Sequence, residues 1–250
     1  AGPSVPGQHY LLDPLERFDL SEVEDLIEQG KYLVLHAPRQ TGKTTSLLAL
    51  MHYLNTQGRY RALYANIEGA QTARHDVRAG IGAVVQVLAR RADIHLGDTR
   101  LYGWVKEAEG HNPHDLLCHL LTRWARETES PVVLMLDEVD ALVGDTLVSL
   151  LRQLREGYDQ RPASYPLSII LCGIRDVRDY RINTTQEGII TGGSCFNVKA
   201  KALRLGNFTA EEIHLLWQQH SDDTGQSFAP EIFEQLWDDT RGQPWLVNAL

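Results

Sequence analysis

Apolar residues along this chain fall into short unbroken runs, separated by stretches in which they recur at helical spacing. Tyr32-Leu33-Val34-Leu35, Ala62 to Ile67, Val132 to Leu136 and Leu167 to Cys172 are runs bounded by turn residues, the pattern of strands buried on both faces. Leu203-Arg204-Leu205 predicts a short fifth strand. Between the runs, Leu47, Leu48, Met51 and Leu54 follow Lys43 at helical spacing and stop at Gly58. A helix is expected over about 72–92. Another should run from an Asn112 cap with Pro113 at its first position to about Arg126, and a third should carry Leu147, Leu150, Leu151 and Leu154. Ser21-x-x-Glu24 reads as a capping box opening an acidic helix that Gly30 closes. Thr209-x-x-Glu212 is a second such box, opening two helices parted near Gly225. The Thr- and Gly-rich stretch from Asn183 to Gly193 reads as a mobile loop. Strands alternating with helices predict an α/β fold, a parallel sheet wrapped by helices.

Composition narrows the class. The chain has 250 residues, 43% hydrophobic and 23% charged, which excludes collagenous, low-complexity and broadly disordered proteins. Three scattered cysteines, Cys118, Cys172 and Cys195, are too few for a disulfide framework and fit a reducing, cytoplasmic setting. No apolar run approaches the ~20 residues of a membrane-spanning helix, and no membrane partner is expected. The first residues lack the basic-then-apolar order of a signal peptide. Trp245 to Leu250 reads as an unfinished helix, so a longer parent chain truncated at this end is expected.

The formal charge of −9 is unevenly spread. Residues 1–28 carry −6 and residues 207–250 carry −7, whereas the sheet-bearing body between them carries +4. A mildly basic body suits a polyphosphate ligand.

The chemistry concentrates in two places. Ala37-Pro38-Arg39-Gln40-Thr41-Gly42-Lys43-Thr44-Thr45 joins a strand to a helix and carries the Gly-Lys-Thr of a phosphate-binding loop, the Walker A motif, with Ala37 in place of its usual first glycine. A loop turning into a helix N-terminus presents unpaired N–H groups and the positive end of a dipole. On this reading Pro38 to Thr45 bind nucleotide: Gly42 admits the phosphate, Lys43 reaches the β- and γ-phosphates, Thr44 offers a hydroxyl to Mg²⁺ and Thr45 contacts the α-phosphate. The second place is the strand end Leu136-Asp137-Glu138-Val139-Asp140, a Walker B arrangement in which Asp137 holds Mg²⁺ beside Thr44 and Glu138 polarises the attacking water.

Other candidates are weaker. Arg175 follows the fourth strand, where it would stabilise the γ-phosphate, with Arg178 and Arg181 as backups or as a finger reaching a neighbouring subunit. The competing reading is a surface ion-pair run with Asp176 and Asp179. Pro244, in Arg241-Gly242-Gln243-Pro244-Trp245, would pack on the adenine ring, against the plainer reading of a helix stop and start. Trp217, Trp237 and Trp245 read as core of the helical end. His111, His114, Cys118 and His119 cluster in sequence but lack a CxxC partner for zinc.

Four blocks together resemble the STAND branch of the AAA+-related P-loop ATPases, and more narrowly the bacterial and archaeal AAA-like ATPase domains. They are His36 to Thr45, Leu136 to Leu142, Gly173 to Tyr180 and Gly242 to Trp245. The resemblance implies a three-layer α/β/α sandwich with a five-stranded parallel sheet in order 5-1-4-3-2 and a small C-terminal helical lid. It implies a core over 1–206, whose first 20 residues are extended, and a lid over 207–250. It assigns Arg175 as the sensor arginine and Gly242-Gln243-Pro244 as the lid motif touching nucleotide, and it lets Tyr10 to Pro14 line the adenine pocket. A downstream effector or sensor domain and nucleotide-dependent self-association are further implications.

Three functions remain open from the residues. One is a Mg²⁺-dependent ATPase that cycles between ATP and ADP as a switch. Another is a nucleotide-binding assembly scaffold with negligible turnover. The third is an initiator-like DNA-associated ATPase, for which no aromatic-basic nucleic-acid motif speaks. No Asn-Lys-x-Asp guanine-reading sequence is present.

Overall fold

The structure, a computed structural model, describes residue 7, residues 9–186 and residues 188–249, with nothing said of the side chains of 199 and 200. The expected extended segment therefore lies partly outside the described residues. What is described of it has no regular structure over residues 10–13 and turns from Asp13, whose carbonyl accepts from the Glu16 N–H.

The first half of the chain runs α1 (Leu20–Glu28), β1 (Tyr32–His36), α2 (Lys43–Thr56), β2 (Arg61–Asn66), α3 (Val77–Leu96), α4 (Arg100–Glu107), α5 (Leu116–Arg126) and β3 (Val132–Asp137). The second half continues with α6 (Gly144–Glu156), β4 (Ser168–Gly173), β5 (Arg181–Thr184), β6 (Gly188–Thr191), the single turn α7 (Gly192–Cys195), β7 (Lys199–Arg204), α8 (Ala210–Thr224), α9 (Pro230–Thr240) and α10 (Pro244–Ala249).

Five strands form one sheet in order β2-β3-β4-β1-β7, all parallel, with Leu33 opposite Ile170, Val34 opposite Ala202 and Asn66 opposite Asp137. Read from the other edge this is the expected order, the fifth core strand being the seventh strand in the chain. Alternate strand residues feed two cores, as a strand's period of two requires. Leu33, Leu35, Tyr64, Met135 and Ile170 pack under α1 and α2. Tyr32, Val34, Leu134, Leu136 and Leu171 pack under α3 to α6. The result is the three-layer α/β/α sandwich of the P-loop NTPases.

Several local expectations give way to tertiary effects. The stretch 183–193 is no plain loop: β5 and β6 pair as an antiparallel hairpin, Arg181 opposite Thr191, continuing into α7. The hairpin leans on α6, where Thr185 Oγ1 donates to Asp145 at 2.8 Å. The cap of α1 is Asp19, whose carboxylate accepts from the Glu22 N–H at 3.0 Å, so the Ser21 box is not formed. α5 starts at Leu116, because the Asn112 side chain closes a local turn by accepting from the His114 N–H. α3 starts at Val77, with the Asp76 carboxylate on the Ala79 N–H, and extends to Leu96. α4 has no counterpart in the sequence reading. The Thr209 box forms in full, with both reciprocal bonds present.

The last three helices enclose a small cluster of their own, Phe208, Ile213, Leu216, Leu236 and Val247. No helix among the described residues is long and apolar enough to cross a membrane, and all three cysteines are buried free thiols.

Gly157, just after α6, is overlaid by the fully buried Tyr165 ring, whose hydroxyl donates to the Gln153 carbonyl at 2.9 Å. A methyl group there would collide with the ring. Gly157→Ala should cost about 1–3 kcal/mol, read as a lower urea midpoint at unchanged slope.

Candidate functional site

The loop between β1 and α2 begins where β1 lies beside β4: the Ala37 N–H donates to the Gly173 carbonyl at 3.2 Å. Pro38, Arg39 and Gln40 are exposed, whereas Thr41 and Lys43 are buried. Two residues of the loop take left-handed backbone, Gln40 at φ 60° and Gly42 at φ 90°. At Gly42 a side chain would be strained, which accounts for glycine there. α2 starts at Lys43 with no side-chain cap and no acidic residue in its first turn. The positive end of its dipole is thus directed into the loop, with no acidic side chain in its own first turn. Lys43 Nζ donates to the carbonyls of Ala37 (3.0 Å) and Pro38 (2.8 Å), spanning the loop's mouth. Thr41 Oγ1 donates to the Pro38 carbonyl at 2.8 Å and tightens the same turn.

The acidic strand end meets this loop directly. Asp137 is fully buried at the end of β3, and Thr44 Oγ1 donates to its Oδ2 at 2.7 Å. Two residues 93 positions apart are thereby joined across the strand ends. The Glu138 N–H donates to Asp137 Oδ1 at 2.9 Å, and Glu138 itself is left-handed at φ 59°. A non-glycine residue in that region carries backbone strain of order 1–3 kcal/mol, held by its surroundings. Burial, together with the Asp137 and Asp140 carboxylates, pushes the Glu138 carboxyl above its ordinary range, while Lys43 opposes the shift.

Tyr64 escapes sequence reading. It is a strand residue in β2, and its hydroxyl donates to the same Asp137 Oδ2 at 2.9 Å. Nothing local marks it, because its role depends on β2 lying beside β3 in the observed register. Cys172 on β4 approaches Asp137 from the other side, and burial followed by that carboxylate pushes its thiol well up.

The fourth strand ends at Gly173, next to the loop. A side chain at 173 would meet Asp140 Oδ1 and the Tyr180 hydroxyl, each at 2.7 Å. Asp140 Oδ1 is buried with no hydrogen-bond donor among the described residues. Arg175 is exposed on the following loop, and its carbonyl accepts from the Tyr180 hydroxyl at 3.2 Å. Arg178 pairs with Asp176 at 3.2 Å, and Arg181 is exposed on β5. Pro244 is buried at the start of α10. Tyr10 and Leu11 dock on α8 rather than on the loop, Tyr10 through Asp223 and Leu11 through Gln219. In the histidine cluster, the His111 and His119 rings meet edge to face at 5.3 Å. Cys118 groups with Asp115 and Glu156 rather than with those imidazoles.

A phosphate-type loop opening a helix, with a buried strand-end carboxylate bonded to the loop's threonine, defines the site of a P-loop NTPase. The chain belongs to the AAA domain family, whose sequence profile matches residues 27–180. A comparison with curated protein sequences finds no match. Among solved structures, the chain is similar to a Walker-type ATPase of Pyrococcus abyssi, at 16% identity and TM-score 0.65, over 98% of this chain and 68% of that one. It is also similar to Cdc6p of Pyrobaculum aerophilum, at 17% identity and TM-score 0.59, over 98% of this chain and 62% of that one. Domain III of the Thermotoga maritima replication initiation protein DnaA follows at 16% identity and TM-score 0.52, over 99% and 88%. At these identities the likeness is one of fold.

Replacing Tyr64 by Phe keeps the ring and deletes one donor to a buried carboxylate. Tyr64→Phe should destabilise the protein by about 1–3 kcal/mol in urea unfolding. An unchanged midpoint would show that the hydroxyl does not hold Asp137.

Proposed function

We propose that this domain binds ATP with Mg²⁺ and hydrolyses it to ADP and phosphate, acting as a nucleotide-dependent switch of the STAND/AAA+ kind. The observation that carries the reading is the 2.7 Å bond between Thr44 and the buried Asp137. It brings a hydroxyl and a carboxylate together at the mouth of a loop that opens a helix with no acidic residue in its first turn. Hard oxygen donors of this kind fit Mg²⁺, with Thr44 and Asp137 as the residues that would hold it. Bound there, the ion would neutralise charge between the phosphates.

The chain's own residues do the remainder. The N–H groups from Gly42 to Thr45 and the Lys43 ammonium bind and orient the phosphates. Glu138, one residue past the metal-holding carboxylate, accepts a proton from the attacking water at its carboxylate oxygen. Arg175 stabilises charge on the γ-phosphate side, and the helical unit over 207–249, with Pro244, serves as the lid over the base. Lysines and arginines in the body, against acidic flanks, favour a polyphosphate in the same place. Self-association and a downstream effector belong to this reading as further proposals. A scaffold without turnover shares the binding half of it and lacks the role for Glu138. DNA association has only likeness of fold behind it.

Glu138→Gln should bind Mg-ATP within about threefold of wild type and hydrolyse it at least ~100-fold more slowly. Equal, negligible turnover of both proteins would favour the scaffold. Lys43→Ala should weaken ATP binding by about tenfold or more, at least ~1.4 kcal/mol, in calorimetric titration.

A further inference from the structure

Residues 1–28 carry seven acidic side chains and one basic one, Arg17. A turn places it. The Asp13 carboxylate accepts from the Leu15 N–H at 2.9 Å, and the Asp13 carbonyl accepts from the Glu16 N–H at 3.2 Å. From the end of that turn the guanidinium reaches three separate groups. Nη1 donates to the Thr41 carbonyl at 3.4 Å, Nη2 donates to the Gly206 carbonyl at 2.6 Å, and Cζ sits 4.4 Å from the centre of the Phe208 ring. These partners are two carbonyls and a ring face, not carboxylates. Burial pushes the guanidinium down from its ordinary value, with Glu212 pulling the other way.

Each contact has a structural consequence. Thr41 C=O and Gly42 N–H belong to one planar trans peptide, so a donor fixing the carbonyl also fixes the N–H, which points the opposite way. That N–H is one of those that line the phosphate loop. On the other side, Phe208 is core of the helical unit, and its N–H donates to the Gly242 carbonyl at 2.7 Å. Gly242 is left-handed at φ 72°, and a side chain there would overlap the Phe208 carbonyl. Asn207 Nδ2 adds a bond to the Arg241 carbonyl at 2.9 Å. Contact is therefore continuous from the loop through Arg17 and Phe208 to the corner preceding Pro244. The same N-terminal segment is held to α8 by Leu11, whose N–H and carbonyl pair with Gln219 at 3.1 and 2.9 Å.

We propose that Arg17 is a positioning residue, a clasp that fixes the helical unit over 207–249 against the phosphate loop and transmits nucleotide occupancy between them. The coupling half of this rests on the nucleotide reading above; the clasp half does not. Arginine suits the task because its planar fork serves two carbonyls and a ring face at once, whereas a lysine ammonium offers charge without that geometry.

The test uses spin labels at His52→Cys on α2 and Glu234→Cys on α9, both exposed positions, in the otherwise unaltered chain. The three native thiols are buried, so the introduced ones are labelled selectively. Without nucleotide, the label-to-label distance distribution should be narrow in the parent protein and broad in both Arg17→Ala and Arg17→Lys. Failure of lysine to restore the narrow distribution separates clasp geometry from charge. Phe208→Leu should broaden it less, and it carries the test with Arg17→Lys should Arg17→Ala not fold. Distributions as narrow as the parent's in the variants would overturn the clasp. Mg-ATP should bind the Arg17 variants about tenfold more weakly in calorimetric titration. Equal affinity beside a binding wild type would overturn the coupling. A wild type that binds no Mg-ATP would overturn the nucleotide reading and the coupling with it, and the distances alone would still decide the clasp.

Discussion

The organising constraint of this molecule is a carboxylate with no access to water. Asp137 is fully buried at the end of a central strand, and a buried charge is tolerated only when its lone pairs are occupied. Thr44, Tyr64 and the Glu138 N–H occupy them, each from a different segment. The requirement fixes how far α2 stands from β3, keeps β2 in register beside β3, and turns the chain sharply at Glu138. Moving any one of these segments would take a donor from the buried carboxylate. The oxygen that Thr44 approaches is the same Oδ2 that Tyr64 reaches, and Thr44 belongs to the first turn after the phosphate loop.

Around that point the two cores divide the work. One side of the sheet holds α1 and α2 and presents the loop. The other, larger side holds α3 to α6 and keeps the strand ends aligned. The loop and the acidic strand end belong to different strands separated by β4, so their meeting through Thr44 and Asp137 is a property of strand order rather than of any local sequence. The hairpin between β4 and β7 is added outside this frame. It is tied to α6 through Thr185 and Asp145 and makes no contribution to the five-stranded sheet.

What was legible in the sequence was local. The β1–loop–α2 unit and the β3 acidic end combine a strand, a turn and a helix within short stretches of chain, Tyr32–Thr56 and Val132–Glu156, and their chemistry needs those residue types at that spacing. The Thr209 capping box is equally short-range. The order of the sheet was reached through family resemblance rather than pattern. The misses share a cause. Tyr64 matters because of interstrand register, and Arg17 because a distant turn aims it at Thr41 and Gly206. The Asn112 cap lost to a tighter turn of the same side chain. The 181–191 hairpin mixes Thr184, Thr185 and Thr191 with Asn183, Gly188 and three isoleucines, a composition that reads as loop until α6 supplies a surface to lean on. α4 contains Gly103 and several polar residues, and only Leu101, Trp104 and Val105 anchor it.

The position of β1 has a consequence for how the chain comes to be made. Its two neighbours in the sheet are β4 and β7, which follow it by more than 130 residues. Such long-range pairing is slow to form, and during synthesis one edge of β1 stays open until β4 has left the ribosome and the other until β7 has. The phosphate loop hangs from the end of that strand. Its contacts to Gly173 and Asp137 therefore wait on segments translated about 100 residues or more after it. Until residue 204 is in place, the nascent chain presents at least one open edge of an apolar strand to neighbours on the same message.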